Sequence, residues 1–256
     1  MNSFNINKNN TLMALEELVT QNINTKLSYM PESFNAQQQK ALEFFKQRLF
    51  LEKTIDEAIS FNRGLTFPNE NKNLHLATRA EDLIDVFKLR SDVYTSINYQ
   101  EEFPDTIEGL NFDKYDSNSA VLFYRNNNVI TGTTRLIFDV LNKLPSEEKF
   151  SFDKFREKNN VICELSRLMI NNNHKMLNLE LKYLSVGIYN LFKYNHIDFI
   201  LSGIKQEHYK LYSKYGGFKV EKVLTHYGDL DIPFFITSWD PSKVSPFFKK
   251  AFLGQK

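Results

Sequence analysis

Val161-Ile162-Cys163-Glu164-Leu165-Ser166-Arg167-Leu168-Met169-Ile170 is the stretch on which the fold turns. It is apolar enough to be a buried strand, yet it carries an acid and a base in its middle. Downstream, Leu179–Asn195 repeats apolar residues at helical spacing. Ile197–Ile204 is nearly continuously apolar, as a strand covered on both faces is. Gln206–Tyr215 predicts a short helix, and Phe218–Thr225 and Phe234–Trp239 predict two more strands. Upstream, Ala120–Tyr124 and Val129–Phe138 flank the turn residues Asn126–Asn128, which predicts a hairpin. Before it come a helix over Ala80–Ser96 and a short strand near Leu74–Thr78. The order is strand, helix, hairpin, strand, helix, strand, helix, strand, strand. That is an α/β (α+β) arrangement with a mixed sheet, without the repeated βα alternation of a doubly wound fold. Neither GxGxxG nor GxxxxGK[ST] occurs, so no phosphate loop supports a nucleotide-binding reading.

Residues 1–10 are polar and predict disorder. Leu12, Leu15, Leu18, Val19 and Ile23 fall at helical spacing, and a second amphipathic pattern runs from Ser33 to the breaker Asn62-Arg63-Gly64. The expected organisation is an N-terminal helical extension over residues 1–64 and an α/β domain over residues 65–256. The extension covers a face of the core or docks a partner.

The 256 residues carry a net charge of +1, so a nucleic-acid partner is not expected. One cysteine, Cys163, allows neither an intramolecular disulfide nor a zinc cluster, which suits a reducing cytoplasm. The polar N-terminus lacks the apolar run of a signal peptide, and nothing reads as a transmembrane segment, so the expected location is cytoplasmic. His174, His196, His208 and His226 show no ligand spacing, and no metal is expected.

A spaced set of residues carries a more specific message. In order they are Leu89-Arg90 with Tyr94, then Asp113 and Asp116, Gly132-Thr133-Thr134-Arg135-Leu136, Phe150, and Glu164-Leu165-Ser166-Arg167. The set resembles the acyl-homoserine lactone (autoinducer) synthases and the related N-acyl amino acid synthases of the GNAT acyltransferase superfamily. Leu211-Tyr212-Ser213-Lys214-Tyr215-Gly216-Gly217-Phe218 resembles the helix-to-strand turn common in that superfamily. The resemblance covers roughly residues 75–240. It implies a GNAT-like, mostly antiparallel twisted sheet flanked by helices. It also implies an enzyme that moves a fatty acyl group from acyl carrier protein or acyl-CoA, as co-substrates with no bound cofactor, to the amine of an amino-acid-like acceptor.

Two departures narrow this. The lactone synthases carry a tryptophan soon after the first helix, in the site for S-adenosylmethionine. Here residues 95–101 hold none, and the single tryptophan is Trp239, which favours the N-acyl amino acid synthase branch. Ordinary GNAT enzymes hold the CoA pyrophosphate on a glycine-rich turn. The matching region, residues 171–178, has no glycine, and Gly187 comes too late, which favours acyl carrier protein. That carrier is acidic as a class. Lys175, Lys182, Lys193, Lys205, Lys210, Lys214, Lys219 and Lys222 offer a docking surface of the right sign, or ordinary solvated surface.

Amide formation from a thioester needs a neutral amine, a stabilised oxyanion and a protonated leaving thiol. Glu164 is the candidate base, directly or through a water; its carboxyl needs burial to work near neutrality. Glu164 and Arg167 are three apart, a spacing that sends side chains to opposite faces of a regular strand. A bulge near Leu165–Ser166 is predicted to bring both to one face. The resemblance implies that this bulge frees a backbone amide for the oxyanion.

Asp113 and Asp116 either bind the acceptor ammonium or pair with Arg90 or Arg135. Arg135 and Arg167 lie in apolar runs and need carboxylate partners, from the protein or from the substrate. Arg90 and Tyr94 share one helical face. Phe150 and Ser166 complete the candidate substrate-binding set. Tyr212 is a candidate general acid for the leaving thiol, with Tyr215 as a neighbour. Cys163 reads as a small buried hydrophobe. The acyl slot is expected near Met169, Phe199 and the helix Leu181–Phe192. Two alternatives remain: a lactone synthase using S-adenosylmethionine, or a catalytically silent acyl-binding module.

Overall fold

The computed structural model describes residue 17 and residues 32–69, 71–140, 143–171, 179–228 and 230–255. The expected helix over residues 11–23 therefore lies outside the described residues, save residue 17, as do residues 172–178 with His174 and Lys175. The chain forms two compact units, residues 1–56 and 57–256. The first helix, α1 (Glu32–Gly64), runs across that division. The rest of the chain is β1 (Leu74–Leu76), α2 (Ala80–Ser96), β2 (Ser119–Asn126), β3 (Val129–Phe138), α3 (Asp153–Arg156), β4 (Ile162–Ile170), α4 (Leu179–Tyr194), β5 (Phe199–Lys205), α5 (Gln206–Tyr212), β6 (Phe218–Leu224), β7 (Phe234–Trp239) and α6 (Pro246–Ala251). Among the described residues no helix is long and apolar enough to cross a membrane.

The strands form one seven-stranded sheet in the order β1-β2-β3-β4-β5-β7-β6. Every pairing is antiparallel except β4 with β5. The β2–β3 hairpin closes through Asn127 and Asn128, both at positive φ (48° and 65°), a conformation asparagine tolerates and a two-residue hairpin turn requires. Period-2 alternation splits neighbouring residues between two apolar layers. Leu136, Cys163 and Ile200 pack with Leu184, Ile188, Leu191, Tyr215, Trp239 and Phe248 on the side of α4 and α6. Ile137, Ile162 and Leu201 pack with Leu144, Phe152, Phe155 and Ile236 on the other side. Leu184, Ile188 and Leu191 recur at helical spacing and are at most 2% exposed, so each contributes about 1.5–3 kcal/mol of burial. Gly187 lets α4 sit close: a Cβ there would lie 2.9 Å from a Leu122 methyl.

Two irregularities in the sheet position the site. The β4–β5 pairing ends at Leu165↔Ser202, although β4 continues to Ile170 against β3 and β5 continues to Lys205 against β7. The two parallel strands thus splay, and their facing backbone groups beyond that point lose strand partners. The second irregularity is in β4, where Arg135 pairs with Ser166 but Thr133 pairs with Met169. One extra residue is accommodated there. The expected bulge exists, but it falls at Arg167–Leu168 rather than Leu165–Ser166, and Arg167 takes the left-handed conformation (φ 57°). The reading of Ile197–Ile204 also needs correction. The strand begins at Phe199, and Gly203 is exposed, so it is not covered along its whole length.

Candidate active site

Glu164 and Ser166 on β4 and Arg135 on β3 share the sheet face opposite α4, and the bulge turns Arg167 to the same side. Asp113 and Asp116 come from the loop before β2, where the Asp116 carboxylate accepts from the Asp113 amide (2.9 Å) and the Asp113 carboxylate from the Tyr115 amide (2.9 Å). Arg135 donates to both oxygens of Asp113 (2.7 and 2.8 Å) and pairs with Asp116 at 2.9 Å. Its Nε donates to the Ser166 hydroxyl at 2.9 Å. Arg90, wholly buried on α2, donates to Asp116 at 2.8 Å. Arg167 donates to Asn111 (2.8 Å) and Asp113 (3.1 Å), and its guanidinium lies over the rings of Tyr94 and Phe103 at 5.0 and 5.2 Å. Those rings stack on each other at 4.7 Å.

Charges this deeply placed persist only because each is paired. Burial works to raise the Asp113 carboxyl, but Arg135 and Arg167 outweigh it and hold it well below the usual carboxylate range. Burial likewise works against the Arg135 charge, and the two aspartates more than offset it. Arg90 is the exception. Burial lowers its guanidinium, and its Nε and Nη2 have no partner among the described residues. The Asp113 side chain is 30% exposed and that of Arg167 is 11% exposed, so they form the open edge of the cluster.

Glu164 is 3% exposed and carries no ion pair among the described residues. Its two oxygens accept from Ser146, one from the backbone amide (3.0 Å) and one from the hydroxyl (2.7 Å). Burial pushes its carboxyl up to about 7, against the pull of Ser146 and of Arg135. A carboxylate at that value is half ionised at neutrality and suited to accept a proton.

The structure therefore brings Arg90, Tyr94, Asp113, Asp116, Arg135, Glu164, Ser166 and Arg167 together. Tyr212 lies on the other side of the sheet from that cluster, and the Phe150 amide donates to the Ser146 carbonyl at 3.1 Å. Phe150 packs edge-on against Phe152 beneath the Lys154 ammonium. Tyr212 packs between Tyr215 and Phe218 on the α4 side, where burial raises its hydroxyl. Cys163 is buried, and burial raises its thiol. Sequence reasoning missed Asn111, Phe103, Ser146 and Tyr227. Asn111 stands two residues before Asp113, and that adjacency was its one local signal. Tyr227, between β6 and β7, faces Ser146 and Glu164, and burial pushes its hydroxyl up to about 12.

A seven-stranded, mostly antiparallel sheet whose one parallel pair splays beside a bulged strand is a GNAT-like fold. Solved structures share this fold. FeeM, an N-acyl amino acid synthase from uncultured soil microbes, is 17% identical with a TM-score of 0.54, covering 66% of this chain and 89% of its own. The AHL synthase LasI is 14% identical with a TM-score of 0.54, covering 71% and 94%. BjaI, a CoA-dependent acyl-homoserine lactone synthase solved with SAM and isopentyl-CoA, is 14% identical with a TM-score of 0.54, covering 68% and 83%. No curated protein sequence matches the chain. The family model of the N-acyl amino acid synthase FeeM matches residues 85–240, more than half of the chain. The chain belongs to the FeeM family of N-acyl amino acid synthases and is an acyltransferase.

Proposed function

We propose that the protein moves a fatty acyl group from the thioester of acyl carrier protein to the α-amine of an amino acid. The observation that carries this reading is the pairing of a buried Glu164, poised near 7, with a cluster whose open edge presents one carboxylate and one guanidinium. That edge complements a zwitterion: Asp113 meets the ammonium and Arg167 the carboxylate. Glu164, directly or through a water, takes the proton that the amine must lose to attack. The thioester lies in the splay between β4 and β5, where a backbone amide freed at the Arg167 bulge stabilises the oxyanion. Tyr212, on the α4 side of the sheet, is the proton source for the leaving thiol. Lys182, Lys193, Lys205, Lys210, Lys214, Lys219 and Lys222 give the acidic carrier a surface of opposite charge.

The test uses purified protein with acyl carrier protein or CoA thioesters and either an amino-acid mixture or S-adenosylmethionine, with products read by mass spectrometry. N-acyl amino acids formed faster from the carrier thioester are expected. Acyl-homoserine lactone as the main product would transfer the protein to the autoinducer-synthase reading, and CoA preference would overturn the donor assignment.

A further inference from the structure

Ser146 belongs to none of the motifs that mark this site, yet among the described residues it is the side-chain and backbone donor to Glu164, with one bond to each oxygen. It is 1% exposed and sits in the 3-10 turn Pro145–Glu148. Three further contacts hold that turn. The Leu144 amide donates to Glu147 (2.6 Å), Arg156 donates to both Glu147 oxygens (2.7 and 2.5 Å), and the same Arg156 reaches Asp139 at the end of β3 (2.5 Å). Lys222 of β6 donates to the Lys149 carbonyl (2.8 Å), and the Lys149 ammonium lies 4.5 Å from the Tyr227 ring centroid. Tyr227 is wedged against Phe234 (4.7 Å) and over Gly203, where a Cβ would lie 3.6 Å from its ring. Its hydroxyl interacts with the Ser146 side chain. Two segments far apart in sequence thus converge on one carboxylate.

We infer that Ser146, backed by Tyr227, is a positioning residue for acyl transfer that fixes the orientation of the Glu164 carboxylate and its affinity for the proton. The physical reason is one of balance. A fully buried carboxyl with no donors titrates well above neutrality, and donors to the charged form bring it down. The groups facing Glu164 are Ser146, Arg135, Glu147, Tyr115 and Tyr227. Of these, Ser146 gives the two direct bonds. The hydroxyl bond is charge-assisted, so removing it moves the titration up by about one pH unit. The inference rests on the proposed role of Glu164 as base.

The test is the pH profile of kcat/KM for amide formation. In the wild type an ascending limb near pH 7 is expected, and Glu164→Gln abolishes it. Ser146→Ala moves that limb up by about one unit, lowering the rate at pH 7 about fivefold while the rate at pH 9 stays within about threefold. Ser146→Thr, which keeps the hydroxyl, restores the limb. Tyr227→Phe moves it the same way by less, and serves if Ser146→Ala does not fold. A limb lost in Glu164→Gln but unmoved in Ser146→Ala, or in Tyr227→Phe where that variant serves, overturns this inference alone. A limb that survives Glu164→Gln overturns the base assignment and this inference together.

Discussion

Replacing Glu164 with glutamine is expected to stabilise the protein at alkaline pH. The folded carboxyl titrates at about 7 against an ordinary 4.5, because burial penalises its charge. Between those values the folded chain binds more protons than the unfolded one, so stability falls as pH rises through the window. The gap corresponds to about 3 kcal/mol, reached in full above pH 7. Glutamine carries no charge and keeps the geometry. Its carbonyl accepts from the Ser146 amide, and its NH2 donates to the Ser146 hydroxyl, which rotates to receive it. Urea unfolding of both proteins at pH 5 and pH 8 reads the difference directly. Nearly equal stability at pH 5, and a variant about 3 kcal/mol more stable at pH 8, is the expected pair of results. A difference below about 1 kcal/mol at pH 8, or one equal at both pH values, refutes the buried, unpaired state of Glu164.

Arg135→Met leaves Asp113 and Asp116 without their shared partner, and a loss of about 3–5 kcal/mol in urea unfolding is expected. Arg167→Ala is milder for the fold, because Arg135 still grips Asp113. Thermal melts are expected to fall by only a few degrees, while kcat/KM for the amino-acid acceptor falls about 100-fold. Gly203→Leu places a side chain beneath Tyr227 at the splay; KM for a long-chain acyl donor is expected to rise about tenfold, with the melting temperature little changed.

Much of the fold was legible because it is periodic. Ala80–Ser96, Val129–Phe138 and Phe234–Trp239 match the observed elements residue for residue, since their apolar spacing decides both type and length. The bulge was legible only in part. The odd spacing of Glu164 and Arg167 demands one extra residue, but parity does not say which. Its location was decided by Arg167 adopting a positive φ as it reaches over Tyr94. Arg90, Asp113 and Asp116 were legible through the motif order, and Arg135 also because a charge in an apolar run needs a partner. Ser146 and Tyr227 were not, because each lies in a connecting segment of ordinary polar sequence. Their role exists only through tertiary contacts that Arg156 and Lys222 hold in place. Phe150, expected from its place in the motif order, packs beside Phe152, and its amide donates to the Ser146 carbonyl at 3.1 Å.

The most direct measurement is a single-turnover rate of N-acyl amino acid formation at pH 7.5, wild type against Glu164→Gln, on samples shown to be folded. A loss of about 100-fold or more is expected, in a protein that resists urea better than its parent. Amide formed at the wild-type rate by that variant would contradict the assignment of this buried carboxylate as the proton acceptor.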